Sequence, residues 1–303
     1  MRVAVTGASG LIGTALTQHL GGDNIEVTRL VRRPAGRSGE LQWDPAAPRG
    51  GLDPAAMSGL DAVVHLSGAG VADQRWTETR KQELRASRIA STTALVSAMA
   101  AAAEPPRLLL AGSAVGWYGD TGGRAVDETA PNGAGFLAGL VRDWEAAAEP
   151  AAEAGIRVVH LRSGVVLSSR GGMLPRLLVP FRFGLGARIG AGTQYLSWIT
   201  LTDHLRAVRF LLGREELSGP VNLTAPAPVT NAELTTALAA MLHRPAALRV
   251  PSAVLRLALG EVSSELLGSA RVLPARLEQA GFEFCYPAIG PALLAAAADK
   301  TAA

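Results

Sequence analysis

The feature that most constrains this chain is a glycine-rich turn between a short strand and a helix. Residues 2–6 form a β-branched run, and apolar residues at helical spacing continue from 14 to 20. In such a unit the first glycine allows a tight turn, the second lets backbone N–H groups approach a pyrophosphate, and the third allows close packing of helix on sheet. The turn predicts a dinucleotide site formed by Gly7, Ser9, Gly10, Leu11, Ile12 and Gly13. The alternative is an ordinary glycine-rich βα turn.

The rest of the chain continues the alternation of strand and helix. Strand-like apolar runs occur at 26–31, 61–66, 107–112, 157–162 and 220–224, and helical patterns cover 78–103, 136–154 and 230–242. This order predicts an α/β fold, a Rossmann-type doubly wound parallel sheet with a smaller C-terminal substrate-side lobe. Residues 1–165 form the predicted dinucleotide-binding domain, to which 193–225 return, and 166–192 and 226–303 form the lobe. Glycines and prolines between 171 and 192 predict an irregular segment.

The end of the second strand indicates which dinucleotide binds. A carboxylate at this position usually accepts hydrogen bonds from the ribose 2′-hydroxyl of NAD. The chain instead has Val31, Arg32 and Arg33, and a guanidinium can pair with a 2′-phosphate and stack on the adenine. The predicted cofactor is therefore NADP. Two solvated arginines in a loop are the alternative.

Composition excludes several other classes of protein. The chain is 48% hydrophobic and 18% charged, which is too apolar for disorder, and its single cysteine, Cys285, excludes intramolecular disulfides and multi-cysteine metal sites. The net charge of +3 comes without a basic stripe, so no nucleic-acid partner is expected. No apolar stretch reaches the roughly 18 residues of a membrane span. With a strand pattern from residue 2 instead of a signal peptide, we expect a cytoplasmic protein with no metal and no membrane partner.

Further segments resemble those of a known superfamily in the same order. They are Asp61-Ala-Val-Val-His-Leu-Ser-Gly68, Ser113-Ala-Val-Gly-Trp-Tyr-Gly119 and Leu161-Arg-Ser-Gly-Val-Val166. With the glycine turn, they resemble the extended short-chain dehydrogenase/reductases. Trp144-Glu145, Gly171-Gly172 and Ser197-Trp-Ile199 narrow the resemblance to an atypical epimerase-like subfamily, known as NAD-dependent epimerase/dehydratase or nucleoside-diphosphate-sugar epimerase.

The resemblance implies cofactor contacts beyond the glycine turn. They fall at Val31 and Arg32, and at Leu66, Ser67 and Gly68 where the fourth strand ends. Further contacts are implied for Glu83 and Arg88 on the long helix and for Val166 near the nicotinamide. The alternative for Leu66 and Val166 is strand-end core. For Glu83 and Arg88 it is a surface pair.

The usual catalytic pair of this superfamily is missing from the chain. Members with conventional chemistry use Tyr-x-x-x-Lys, in which the lysine lowers the pKa of the tyrosine and the tyrosine exchanges a proton with the substrate. The chain has only two lysines and three tyrosines, and the residues four places after the tyrosines are Gly122, Ile199 and Gly290. The segment where the pair is expected, 135–145, has apolar residues in its place.

Two other residues are the predicted catalytic groups. Ser113 follows the strand that usually carries the catalytic Ser or Thr and can donate to a substrate oxygen, and Tyr118 can serve as an acid. The alternative for Tyr118 is a loop tyrosine at the mouth of the cleft. His204 follows Asp203 and is expected on a helix surface, whereas His65 and His160 are expected to be structural.

These features predict an NADP-dependent oxidoreductase or epimerase that acts on a small polar or nucleotide-linked substrate. A first alternative is an NADP-bound dehydratase or cyclase of specialised metabolism. A second is a non-catalytic, regulatory NADP-binding protein, which the missing Tyr and Lys motivate. A homodimer is a possible assembly.

Overall fold

The β-branched and leucine-rich runs form a parallel sheet in the computed structural model, which describes residues 1–23, 25–47, 51–71 and 73–298. The strands within these ranges are β1 Arg2–Thr6, β2 Glu26–Val31, β3 Glu40–Gln42, β4 Ala62–His65, β5 Leu108–Ala114, β6 Ala125–Val126, β7 Arg157–Ser163, β8 Val165–Leu167, β9 Ala187–Ile189, β10 Tyr195–Leu196, β11 Trp198–Thr200, β12 Gly219–Leu223, β13 Val229–Thr230, β14 Leu248–Val250 and β15 Arg271–Val272. The helices are α1 Leu11–Gly21, α2 Glu78–Ala100, α3 Phe136–Ala146, α4 Glu149–Glu153, α5 Met173–Arg182, α6 Leu201–Leu212, α7 Asn231–Leu242, α8 Ser252–Leu259, α9 Val262–Leu267, α10 Ala275–Gln279 and α11 Ile289–Ala298.

The central sheet has seven parallel strands in the order β12-β7-β5-β4-β1-β2-β3. From β1 the chain adds β2 and β3 on one side of the sheet. From β4 it adds β5, β7 and β12 on the other side. This reversal places a crevice at the carboxyl ends of β1 and β4, where parallel sheets bind their ligands. The predicted doubly wound sheet is confirmed.

Alternating side chains of the strands form two cores. Val3 and Val5 face α1 and α6, and Ala4 faces α2 and α4 on the opposite side. Because both faces are covered, the inner strands β1, β4 and β5 are mostly apolar and do not alternate with polar residues. β12 joins the sheet directly after α6, so part of the segment from 193 to 225 lies with the dinucleotide-binding half.

Two helices differ from the sequence prediction, one because a proline divides it and the other because packing outweighs its prolines. The helix predicted from 136 to 154 is divided into α3 and α4, because Pro150 in the first turn of α4 cannot continue a helix from α3. The segment predicted to be irregular contains α5, although Pro175 and Pro180 lie in it. Its apolar side chains at positions 174, 178 and 181 are buried together, and this packing outweighs the poor helix propensity.

The C-terminal lobe has its own core, formed by β8, α5, α7 and α11. One part of the predicted lobe packs elsewhere. Leu277 of α10 and Phe282 join the core on the α1 and α6 face, and β15 pairs with β6. The chain therefore returns from the lobe to the sheet before α11, the last helix of the described ranges, and residues 299–303 of the predicted lobe lie outside those ranges.

Candidate coenzyme and substrate site

The glycine turn brings backbone so close to backbone that only glycine fits at two positions. Gly7 has φ +65°, and a Cβ there would lie 2.6 Å from the carbonyl oxygen of Leu66. A Cβ on Gly13 would lie 2.2 Å from the carbonyl oxygen of Gly7. The N–H of Gly10 donates to that same carbonyl at 2.9 Å. The turn is thereby fixed against β4 and against the first turn of α1.

The N-terminus of α1 is free to hold an anion. Gly10 is its N-cap residue, no side chain caps it among the described residues, and its first turn contains no acid. Uncapped N–H groups and the helix dipole together favour a phosphate at this position. Ser9 and Gly10 are exposed and Leu11 and Ile12 half-buried, so the turn is accessible to a ligand.

The two arginines at the end of β2 have different surroundings. Arg33 forms a bidentate pair with Glu40, at 2.5 and 2.9 Å, while Arg32 is exposed. The same carboxylate accepts the backbone N–H groups of Gly36 and Arg37, and the Arg33 hydrogen bond is the main reason that its pKa falls to about 2. Sequence reasoning missed Glu40, which reaches this place because β3 pairs with β2. Arg32 is therefore the available cation.

The loop after β4 is held from behind by Arg88. Its Nη2 donates to the carbonyl of Ala69 at 2.9 Å, its guanidinium lies over the Trp144 ring, and a Cβ on Gly68 would touch it at 3.2 Å. Burial lowers its pKa to about 10. Arg88 thus positions the segment that contains Leu66 and Ser67, both half-buried.

Glu83 lies on the same helix as Arg88 but is exposed. Its carboxylate pairs with Nη1 of Arg80 at 2.7 Å, and Arg80 also donates to the carbonyl of Gly70. The pair ties the helix to the loop after β4. Contact of Glu83 with a cofactor stays a prediction.

β8 closes the other end of the crevice. Val166 is half-buried in it, and its carbonyl lies 3.6 Å from the Cβ position of Gly172. Side-chain carbons of Leu11 lie within 4 Å of the Cβ positions of Gly171 and Gly172. The glycine turn and the segment after β8 therefore meet across the crevice.

Ser113 belongs to a buried ionic network at the end of β5. Its hydroxyl donates to Oε1 of Glu145 at 2.5 Å, and the same carboxylate receives Nε and Nη2 of Arg162, each at 2.8 Å. All three residues are buried. A charged pair can remain buried in this way because the bidentate geometry compensates for lost hydration.

Tyr118 is linked to the same network. Its hydroxyl donates to Oδ1 of Asn222 at 2.7 Å and receives Nη1 of Arg162 at 3.1 Å. The side chain is buried, so it is not the loop tyrosine at a cleft mouth. Burial raises the pKa of Tyr118, and the nearby charge of Arg162 opposes that rise. Arg162 therefore connects the two predicted catalytic hydroxyls.

Sequence reasoning gave no role to Arg162, Glu145 or Asn222, although the first two lie in segments that carry the family resemblance. They come from β7, α3 and β12, which are far apart in the chain. One available signal was the charge itself, since Arg162 interrupts an apolar strand and a buried cation needs a partner.

The prediction that His204 lies on a helix surface is wrong. It is fully buried on α6, where its Nε2 lies 2.9 Å from the hydroxyl of Ser163. Burial lowers its pKa to about 4, so the ring is neutral near pH 7. Asp203 beside it accepts the backbone N–H groups of Cys285 and Tyr286 and so anchors the C-terminal segment.

His65 and His160 are both buried within strands, as predicted. Nδ1 of His65 lies 2.8 Å from the hydroxyl of Thr6, and its Nε2 lies 3.1 Å from that of Thr92. Nε2 of His160 lies 3.3 Å from a carboxylate oxygen of Glu149. These contacts connect β4 to β1 and α2, and β7 to α4.

A cleft of about 740 Å³ lies in the C-terminal half. One wall is the segment Asp120 to Gly123, which follows Tyr118 closely, and the opposite wall is the segment 189–195. Thr193, Gln194 and Ser269 contribute polar groups. Neither the glycine turn nor Ser113 or Tyr118 lines the cleft, so it is separate from the dinucleotide crevice and from the buried ionic network.

No helix among the described residues is long and apolar enough to cross a membrane. No group of three or more His, Cys, Asp or Glu side chains in these ranges is arranged to hold a metal ion.

Comparisons with known proteins agree with this geometry. Residues 3–223 match the model of the NAD dependent epimerase/dehydratase family, and residues 250–296 match a domain of unknown function, DUF1731. The epimerase family protein Mb2239 of Mycobacterium bovis is 50% identical over 96% of both chains. The human epimerase family protein SDR39U1 is 37% identical over 97% of this chain and 98% of its own. A crystal structure of the human protein with NADPH has a TM-score of 0.89 at 35% identity, and covers 99% of this chain and 100% of that one.

The fold and the crevice define a Rossmann-type protein of the short-chain dehydrogenase/reductase class. More narrowly, the chain belongs to the NAD dependent epimerase/dehydratase family. The resemblance inferred from the sequence motifs is confirmed.

Proposed function

We propose that this protein is an NADP-dependent oxidoreductase or epimerase that acts on a small polar or nucleotide-linked substrate. The observation that carries the proposal is the pairing of an uncapped α1 N-terminus with an exposed Arg32 at the end of β2. The first suits a pyrophosphate and the second a 2′-phosphate. The human relative crystallised with NADPH supports the same choice of dinucleotide.

The residues around the crevice have separate roles in this proposal. Gly7, Gly10 and Gly13 let the backbone of the turn approach the pyrophosphate, and Arg88 positions the loop on which the dinucleotide lies. When bound, the dinucleotide supplies or accepts a hydride at its nicotinamide. Ser113 and Tyr118 hold and exchange protons at the substrate oxygen.

Arg162 takes part of the role that a lysine has in conventional relatives. Its guanidinium donates to the Tyr118 hydroxyl at 3.1 Å and so favours the phenolate. Because it also pairs with Glu145, its charge is largely neutralised, and burial keeps the pKa of Tyr118 raised. Tyr118 is therefore assigned as a proton donor and not as a base.

The cleft that begins two residues after Tyr118 in the chain is our candidate for binding the non-reacting part of a small polar substrate, since Ser113 and Tyr118 lie outside its lining. Its volume of about 740 Å³ falls in the range of roughly 300–1,000 Å³ that small-molecule sites occupy. Hydroxyl and amide groups line it, and among its described lining residues the one acidic side chain is that of Asp120. Such a lining suits hydroxylated ligands.

Transfer of deuterium from labelled NADPH tests the proposed chemistry. Purified protein is incubated with NADPH deuterated at C4 and candidate carbonyl substrates, and the product is examined by mass spectrometry. A labelled product is expected for reduction. Epimerisation would start from NADP, so it is tested with a substrate deuterated at the carbon that bears the hydroxyl. The deuterium would stay at that carbon in the product, because the hydride removed there would be returned to the opposite face.

The same measurement separates the two alternatives. A dehydratase or cyclase that handles only protons gives an unlabelled product, and a regulatory protein gives no turnover. The missing Tyr-x-x-x-Lys pair is the observation that favours the regulatory alternative. Turnover that falls in both Ser113→Ala and Tyr118→Phe argues against it.

A further inference from the structure

Most of the large apolar side chains exposed in the described ranges lie on the C-terminal lobe. Eight such side chains are exposed, and six of them belong to the segments 179–185 and 248–257. Phe183 is 77% exposed and Leu257 is 84% exposed. We call this surface the basic apolar face, and its apolar members are Val179, Phe183, Leu185, Leu248, Val254 and Leu257.

The two segments lie side by side. β9 and β14 pair in parallel, with Ala187 opposite Leu248. A Cβ on Gly184 would lie 3.9 Å from the ring of Pro245. Val179 and Phe183 are four residues apart on and just after α5, which places them on one side of that helix. Val179, Phe183, Leu185 and Leu248 therefore belong to adjoining segments, and Val254 and Leu257 follow in α8, the helix that begins two residues after β14.

The same two segments are strongly basic. Residues 179–185 and 248–257 contain three arginines, Arg182, Arg249 and Arg256, and no aspartate or glutamate, and Arg244 precedes the second segment by four residues. Arg182, Arg244 and Arg249 are exposed next to the apolar side chains. The net positive charge per residue is higher in these segments than in the whole chain, whose net charge is only +3 over 303 residues. The face is both apolar and cationic.

We propose that the basic apolar face docks on the surface of a bilayer that contains anionic phospholipid. Exposed aromatic and aliphatic side chains insert at the boundary between headgroups and acyl chains, and arginines attract the lipid phosphates while their stems lie along apolar surface. A second copy of this chain suits the face less well, because a symmetric contact would bring arginine against arginine. Nucleic acid would leave the apolar side chains unmatched.

This inference does not depend on the proposed dinucleotide chemistry. The expectation of no membrane partner rested on the absence of an apolar stretch long enough to span a bilayer. Peripheral docking needs no such stretch, only apolar area together with attraction to anionic lipid. The surface that meets these needs comes from two segments about 60 residues apart in the chain, so the linear sequence did not reveal it.

Co-sedimentation with vesicles tests the proposal. The full-length protein is mixed with vesicles of phosphatidylcholine alone or with about a quarter phosphatidylglycerol, and the bound fraction is measured at increasing sodium chloride. Binding is expected only to the anionic vesicles, and salt is expected to weaken it because it screens the arginines. Failure to bind the anionic vesicles at low salt overturns the proposal.

Matched variants locate the binding surface. Phe183→Ser with Leu185→Ser is expected to lower the partition coefficient at least about tenfold, since two large side chains no longer enter the bilayer. Arg182→Gln with Arg244→Gln is expected to lower it and to reduce its dependence on salt. The controls are Leu294→Ser, an exposed leucine outside the face, and Arg107→Gln with Arg124→Gln.

Two results would contradict the assignment of this face. Controls that bind as weakly as the face variants would mean that general charge or apolarity is responsible. A dimer in analytical ultracentrifugation that is lost in Phe183→Ser, without vesicle binding, would assign the face to a second copy. All variants should keep the thermal transition of the parent protein, because they alter exposed side chains.

Discussion

Arg162 is the residue that connects the two candidate proton-transfer groups. Its guanidinium reaches Glu145 and the Tyr118 hydroxyl, and Glu145 in turn receives the Ser113 hydroxyl. Both candidate proton-transfer groups are therefore held by one buried cation. In the function proposed above, Arg162 would place positive charge beside Tyr118, where the Tyr-x-x-x-Lys pattern uses lysine.

Tyr118→Phe is expected to lower turnover about 100-fold, because the phenol is the proposed proton donor. NADPH affinity should not change, since Tyr118 is not among the predicted dinucleotide contacts. Steady-state kinetics and equilibrium titration measure the two quantities. Tyr286→Phe, which removes a phenol elsewhere, is the control and should retain turnover. Unchanged turnover in Tyr118→Phe would remove this residue from the mechanism.

At the scale of elements, the crevice depends on how closely α1 approaches β1 and β4. Gly7 and Gly13 permit that approach, and no other residue type fits at either position without displacing backbone. A second dependence is the link between β7 and α3 through Arg162 and Glu145. The close approach of α1 therefore fixes the glycine turn, and the Arg162–Glu145 pair fixes the end of β7 against α3.

Gly13→Ala is expected to displace the first turn of α1, because its Cβ would lie 2.2 Å from the Gly7 carbonyl oxygen. NADPH affinity and the melting temperature should both fall. Gly139→Ala is the matched control, since this glycine lies within α3 with open space around its Cβ position. That change should raise the unfolding free energy by about 0.5–1 kcal/mol. Equal behaviour of the two variants would contradict the role of Gly13.

Arg162→Met is expected to lower the unfolding free energy by about 3–5 kcal/mol, because it leaves the Glu145 carboxylate buried without its partner. In the double variant with Glu145→Leu, the unfolding free energy should fall by clearly less than the sum of the decreases in the two single variants. Urea unfolding measures the three values. Strict additivity would show that the two side chains do not interact as the distances indicate.

At the scale of the whole molecule, buried neutral histidines make stability depend on pH. Burial lowers the pKa of His65 and of His204 from 6.5 to about 4. In the unfolded chain both rings take up protons as pH falls through 6.5, whereas in the native protein they stay neutral to about 4. The unfolded state therefore binds more protons in this window, and stability is lost as pH falls.

The unfolding free energy should fall between pH 6.5 and 4 by up to about 3 kcal/mol for each ring. Urea unfolding at a series of pH values measures this slope. His204→Gln should remove about half of it, and His19→Gln, which alters a half-buried histidine on α1, is the control. A slope that His204→Gln leaves unchanged would contradict the assignment.

The sequence predicted those features that local pattern determines. The glycine turn, the central strands and the first helix follow from spacing and β-branched composition, and the structure has them in place. Helix α5 was missed because burial of Leu174, Leu178 and Phe181 outweighs two prolines. Glu40 was missed because strand pairing brings it to Arg33. The burial of His204 also depends on tertiary packing, which spacing along the chain does not show.

The central claim is that the crevice binds NADP through Arg32. Equilibrium titration with NADPH and NADH, on the parent protein and on Arg32→Ala, tests it most directly, with Arg107→Ala as an exposed-arginine control. The parent should bind NADPH at least about tenfold more tightly than NADH, because a guanidinium pairs with the 2′-phosphate. Arg32→Ala should lose most of that preference. NADH binding as tight as NADPH in the parent protein would contradict the claim.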